Sequence, residues 1–246
     1  MATYRDRAVV LRKLDYGEAD RIYTLLTRDH GKVGALARGV RRSTSRLSSA
    51  LELFSQIDVE LACGRSLDIV TQAVRLPGPR IGPDLERTAY AALVAEVADR
   101  VSEDRHPAEG VFELTVLALA DLAQGPPRPA AAWFLLAALD QLGYAPELGE
   151  CIGCRTPLQD RPHLFSPAGG GFLCSTCAPQ EAVRVDAAVI KVLRIMARAD
   201  IDLYRRLKLE PDLLADLERV LEAQLEHHLD RQLRSLRFLR QMRFVP

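Results

Sequence analysis

The chain changes its hydrophobic period once, and that change limits the available folds more than any other feature. Up to about residue 75 the apolar residues alternate. In SQIDVELA, Ile57, Val59 and Leu61 are separated by Asp58 and Glu60, the pattern of a half-buried strand. RAVVLRKL, RIYTLLT, KVGALARGV and SLDIVTQAV are β-rich runs of similar length, divided by turn-like DYGEAD, DHG and CGR. Five such strands in so short a span predict a small closed barrel, because closure leaves no exposed edge. An open sheet with a helix packed on it satisfies the same pattern. LPGPRIGP at 76–83, with three prolines and two glycines, separates a domain of residues 1–78 from one of 79–246.

Beyond that linker the period is helical. Leu85, Ala89, Ala92, Leu93, Val97 and Val101 recur at three- and four-residue steps and mark one buried face. Further helices are predicted over 108–123, 130–142 and 186–199. A long one follows from Asp212 to Gln241, with Leu217, Leu221, Leu225, Leu229 and Leu233 at four-residue spacing. These stripes read as bundle core rather than as a cofactor site. The fold class is multidomain α+β.

A cysteine-rich segment interrupts the helices. CIGC and CSTC give the spacing C-x2-C-x19-C-x2-C over residues 151–177. Each C-x2-C turn aims two thiolates at one centre, and two turns complete a tetrahedron. Cys151, Cys154, Cys174 and Cys177 are therefore the predicted ligands of a structural Zn2+ in an inserted zinc-finger module of about 148–180. Two redox dithiols are the competing reading. The intervening SPAGGG reads as a loop tip. A four-thiolate site leaves no position for a catalytic water. No histidine begins the H-x-E triplet of a nucleobase deaminase, and no phosphate-binding G-x-x-x-x-G-K-[ST] occurs. The expectation is a protein that is not an enzyme and takes no nucleotide cofactor. Cys63 stands alone in a strand region and is expected to be buried and inert. The pair His227–His228 is expected to be packed or partly exposed rather than metal-ligating.

Lys+Arg and Asp+Glu both total 33, so no global field draws the chain to nucleic acid or membrane. The distribution is uneven, with 14 basic and 9 acidic side chains in residues 1–80 but 4 and 12 in 81–150. MATYRDRAVV lacks the apolar core of a signal peptide, and the longest apolar run, AAAWFLLAAL, is too short to span a bilayer. A cytoplasmic protein with reduced cysteines is expected.

Within the basic head, ARGVRRSTSRL (37–47) lies in a stretch with no carboxylate between Asp29 and Glu52. Its cations, Lys32, Arg38, Arg41, Arg42 and Arg46, are candidates for tracking phosphates, with Arg12, Lys13 and Arg21 beside them. Tyr16 and Tyr23 are the candidates for base stacking, or else ordinary barrel residues. For the loop itself, the alternative is a solvated charge run with no partner. A second basic feature, Arg231, Arg234, Arg237, Arg240 and Arg243, recurs every third residue and so spirals around a helix instead of forming one stripe. This spiral is read as structural, with auxiliary DNA contact as the alternative.

The segment VVLRKLDYGEADRIYTLLTRDHGKVGALARGVRRSTSRLSSALELFSQIDVEL resembles the N-terminal domain of the bacterial recombination mediator family RecO, and FSPAGGGFLCSTC resembles that family's C-terminal module. The resemblance implies an N-terminal five-stranded OB-fold barrel followed by a mainly α-helical domain. It implies a DNA repair and recombination mediator that binds single- and double-stranded DNA without sequence specificity and anneals complementary strands without ATP. It also implies RecR and single-strand-binding protein as partners in loading recombinase, and nucleoid association. Two competing classes are a zinc-ribbon sequence-specific regulator and a zinc-dependent nucleic-acid enzyme. The first needs a basic recognition helix beside the cysteines, whereas residues 145–182 hold only Arg155 and Arg161 as cations.

Overall fold

The computed structural model describes residues 2–177, 184–198, 204–229 and 232–243. Five strands form the N-terminal part: β1 (Thr3–Tyr16), β2 (Asp20–Thr27), β3 (Gly31–Ala37), β4 (Gln56–Ala62) and β5 (Asp68–Arg75), with a short helix α1 (Leu47–Ala50) before β4. They close in the order β1-β2-β3-β5-β4, antiparallel except for β3 with β5. That is the OB-like closed barrel, so the open-sheet alternative is excluded. Alternation places Val10, Tyr23, Leu25, Val33, Ile57 and Leu61 inside, each almost inaccessible to water. β1 carries one bulge: Val10 faces Leu25 and Arg12 faces Thr24, leaving Leu11 as the extra residue.

After the linker come α2 (Leu85–Val101) and α3 (Glu109–Gln124). Asp84 caps α2 by accepting the Arg87 N–H at 2.7 Å. Between Ala89 and Ala98 all residues but Ala92 and Glu96 are buried, around much of the helix circumference, because α2 packs on both β1 and α3. Leu85, predicted for the buried face, is 62% exposed, since it stands in the first turn before that packing begins. The barrel, α2 and α3 form one compact unit of residues 1–127, together with the described residues from Phe238 on. The packing boundary thus lies beyond the proline-rich linker, which separates strand-forming from helix-forming sequence within that unit.

The second unit, residues 128–237, holds most of α4 (Pro127–Gln141), the short strands β6 (His163–Ser166), β7 (Gly171–Leu173) and β8 (Arg184–Val185), and helices α5 (Ala187–Arg198) and α6 (Pro211–Leu229). α4 begins three residues earlier than predicted, with Pro127 at its first position, where no amide hydrogen is needed. In the core of the unit, the Arg128 guanidinium holds Glu218 through two hydrogen bonds of 3.2 and 2.7 Å.

The single helix predicted over 212–241 is two helices, α6 and α7 (Arg234–Arg243), with Gln232 and Leu233 outside both. Residues four apart advance about 400°, so the five leucines from Leu217 to Leu233 would drift about 160° around one straight helix. The chain instead restarts the pattern at Leu233, Leu236 and Leu239, all buried.

Candidate nucleic-acid interface and metal centre

The arginine loop leaves the end of β3 and is pinned at its base. Val40 inserts into the barrel core, Gly39 N–H donates to Asp20 Oδ1 at 2.7 Å, and Arg41 N–H donates to the Ala19 carbonyl at 2.9 Å. Gly39 has φ 61°, a conformation that glycine adopts without strain. The β1–β2 turn, DYGEAD in sequence, therefore lies against the loop and brings carboxylates to a stretch that has none of its own. Asp15 takes Arg21 at 2.7 Å and Arg41 at 3.6 Å, and Arg21 holds the Asp15 carboxyl below its usual range. Arg38, Arg42 and Arg46 are exposed, and no carboxylate reaches them among the described residues. Lys13 is exposed in the same way.

Lys32 does not belong with that set. It is the second residue of β3, about 20 Å of strand away from Arg38. Its Nζ donates to the Asp99 carbonyl at 2.8 Å and lies 3.3 Å from the Asp99 carboxylate and 3.6 Å from that of Asp104. Arg12 meets Asp99 as well, at 3.1 Å, although it stays mostly exposed. Sequence proximity grouped these cations, but the fold assigns Lys32 and Arg12 to the last turn of α2.

The two tyrosines separate cleanly. Tyr23 is fully buried in the barrel core and cannot stack a base, while Tyr16 is 54% exposed at the end of β1. Cys63, expected to be buried, is exposed: β4 ends at Ala62, and Cys63 lies in the turn beyond, its N–H bonded to the Ala2 carbonyl. His228 stacks on Tyr144 with centroids 4.0 Å apart and is tied to Gln224 at 3.0 Å, a packed role. Of the C-terminal arginines, Arg231 lies outside the described residues. Arg243 donates to the Tyr90 hydroxyl at 3.1 Å, and Arg234 and Arg240 also have partners, which supports the structural reading for these three, while Arg237 is exposed.

The four predicted ligands converge. Each of Cys151, Cys154, Cys174 and Cys177 presents a sulfur within 4.8 Å of the other three, and none forms a disulfide. The Cys154–Cys174 sulfur separation is 3.7 Å, close to the roughly 3.8 Å edge of a tetrahedron with about 2.3 Å bonds. The Cys151–Cys154 and Cys174–Cys177 turns are closed by Arg155 N–H to Cys151 O and Cys177 N–H to Cys174 O. Gly153 permits the approach, since a Cβ there would stand 3.0 Å from Cys177 Cβ. SPAGGG forms the turn between β6 and β7, as predicted.

The thiols differ in acidity. Burial resists ionisation of Cys151, but N–H groups of Cys174, Cys154 and Gly153 overcome it and bring its pKa down to about 6. The Thr156 hydroxyl lowers Cys154. Crowding by the Cys154 and Cys174 sulfurs pushes Cys177 up to about 12. Four sulfurs this close cannot all ionise unless a cation sits among them, which is what a metal supplies. Among the described residues this is the one His/Cys/Asp/Glu group arranged to hold a metal ion. Arg155, one of the few cations near it, pairs with Glu150 at 3.4 Å, which leaves little for a recognition helix to use.

An OB-like barrel with an arginine-bearing loop, joined to helices that carry a four-cysteine centre, defines a nucleic-acid-binding class of protein. The family model described as Recombination protein O N terminal matches residues 1–76, and that of Recombination protein O C terminal matches residues 82–237. The chain belongs to the recombination protein O family, which makes it a recombination mediator of DNA repair.

Proposed function

We propose that the arginine-bearing end of the barrel grips single- and double-stranded DNA without sequence preference. The protein then anneals complementary strands without ATP and, with RecR, helps load recombinase onto DNA coated by single-strand-binding protein. The observation that carries this reading is the set Arg38, Arg42 and Arg46, exposed on a pinned loop with no carboxylate partner among the described residues. Phosphates supply the missing counter-charge, and phosphate contacts carry no base information. Annealing requires only that a cationic surface lower the repulsion between two backbones, so no catalytic group is invoked. Such work belongs in the cytoplasm, at the nucleoid. The four thiolates suit Zn2+ in a closed structural site, and elemental analysis should find about one zinc per chain.

Fluorescence anisotropy with oligonucleotides of unrelated sequence, across salt, tests the DNA reading. Replacing Arg38, Arg42 and Arg46 by alanine should weaken binding equally for every sequence. Each phosphate that goes unneutralised takes roughly 0.7 from the single-strand salt slope, so the slope should become shallower by about 2. Unchanged affinity and slope in a folded variant would move the site elsewhere. Annealing that requires ATP would remove the second part of the proposal.

A further inference from the structure

From Arg12 to Glu18 every residue is exposed, although Arg12–Tyr16 are paired to Asp20–Thr24 as a regular antiparallel ladder. The register divides this arm into two faces. Lys13 and Asp15 share one with Arg21 and Tyr23, and the protein uses it internally through the Asp15 ion pairs. Arg12, Leu14 and Tyr16 share the other with Asp20, Ile22 and Thr24, and the Asp20 carboxylate is engaged by the Gly39 N–H. Here Leu14 is 62% and Tyr16 54% exposed. The bulge at Leu11 is responsible: uninterrupted alternation from the inward-facing Val10 would turn Leu14 and Tyr16 into the barrel, and the extra residue turns them out. The apolar row continues across the barrel wall, where Ile22 pairs with Leu36 and Leu36 with Ile69, all three half-buried.

We infer that this outer face of the β1–β2 arm, centred on Leu14 and Tyr16, is a base-contacting step that makes the barrel prefer unstacked single strands to duplex. The inference rests on the DNA-binding reading above. Charge selects the occupant, because the loop packed against the arm carries Arg38, Arg42 and Arg46 without carboxylate partners among the described residues. A ligand that is anionic along its backbone and has flat apolar faces satisfies both surfaces. In a duplex those faces are hidden in the stack. Leu14 and Tyr16 stand two residues apart on one strand face, about 6.8 Å. That is twice the roughly 3.4 Å spacing along a stacked strand, so consecutive bases touch both side chains only when the strand is stretched and unstacked.

The test combines a Leu14→Ser/Tyr16→Ala double variant with three probes: a labelled oligothymidine, the same strand made abasic along its length, and a duplex. The variant should lose about 10- to 100-fold in affinity for oligothymidine. Its affinity for the abasic strand and the duplex should change by less than about twofold, and its salt slope should not change. The Tyr16→Phe variant should bind like the parent, because the ring and not the hydroxyl makes the contact. The parent protein should bind the abasic strand about 10- to 100-fold more weakly than oligothymidine, a result that does not depend on any variant folding. Equal losses on all three probes would overturn the inference, as would undiminished oligothymidine binding. The latter would leave the face to an apolar protein segment. The Arg38/Arg42/Arg46 alanine variant, run in parallel, separates the two levels. If it binds every probe like the parent, the DNA site itself is misplaced. If it alone is weakened, only the base-contacting step fails.

Discussion

At the end of the barrel where β1 begins, the buried carboxylates Asp6 and Asp68 and the half-buried Lys32 are matched from within the chain. Asp68 is buried and accepts hydrogen bonds from the Tyr4 hydroxyl at 2.5 Å, the Arg105 guanidinium at 2.8 Å and the Gly64 N–H at 2.9 Å. Asp6, also buried, takes His30 at 2.7 Å, and Lys32 is drawn to Asp99 and Asp104. At the other end, Asp15 satisfies Arg21 and Arg41, while Arg38, Arg42 and Arg46 find no carboxylate among the described residues. The two ends teach that a cation's role is set by whether the fold brings it an anion, not by how many cations surround it in sequence. The cysteine centre is a third case, in which the chain gathers negative charge and leaves the counter-charge to an ion.

The largest effect expected from this comparison is at that third case. Stripping the metal with a chelator, or changing Cys174 to serine, should melt the module around β6 and β7, because metal binding in such small sites is coupled to folding and is worth about 10 kcal/mol or more in zinc-finger peptides. Limited proteolysis and metal analysis check this. An intact, metal-free module would mean that the thiols do not need a cation.

The internally matched end should respond next. Asp68→Ala leaves Arg105 and Tyr4 without their acceptor. Since Arg105 is about half exposed and can rehydrate, the cost should be about 2–3 kcal/mol of stability. The salt slope of DNA binding should not move. Although burial opposes its ionisation, the bonds from Arg105, Tyr4 and Gly64 hold the Asp68 carboxyl below its usual range. A depressed carboxylate contributes stability that is complete above its unfolded pKa of about 3.9 and lost as pH falls through the lower folded value. Urea melts below about pH 4 should therefore show a pH dependence that Asp68→Asn reduces. A salt slope altered by either substitution would erase the distinction between the ends.

A subtler change sharpens the contrast at the DNA end. Asp15→Asn should release Arg21 and Arg41 for phosphates, steepening the slope by about 1.4 if both engage. Single-strand binding should then become about sevenfold more sensitive between about 50 and 200 mM salt. The smallest effect is expected for Lys32→Ala. Because its ammonium is already held by Asp99 and Asp104, DNA affinity should stay within about twofold of the parent. A slope made shallower by about 0.7 in this variant would show that those ion pairs open on binding and free Lys32 for a phosphate.

Local pattern alone determined much of this protein. Two-residue alternation marks β1 to β5, three- and four-residue steps mark α2 to α6, and each C-x2-C turn aims two sulfurs at one point. Each of these signals lies within a few turns of chain, where backbone geometry fixes which side chains are neighbours. The tertiary structure decided what depends on distant partners. Lys32 and Asp99 are 67 residues apart, and nothing in KVGALA predicts their meeting. Tyr16 and Tyr23 look alike in sequence, yet a one-residue bulge at Leu11 turns the first out while the second fills the core. The leucine repeat continues through Leu233, but the helix does not, because four-residue spacing drifts off any single face. Strands and helices follow from neighbours along the chain, whereas ion pairs, exposure and the aim of a side chain are settled only when separate elements meet.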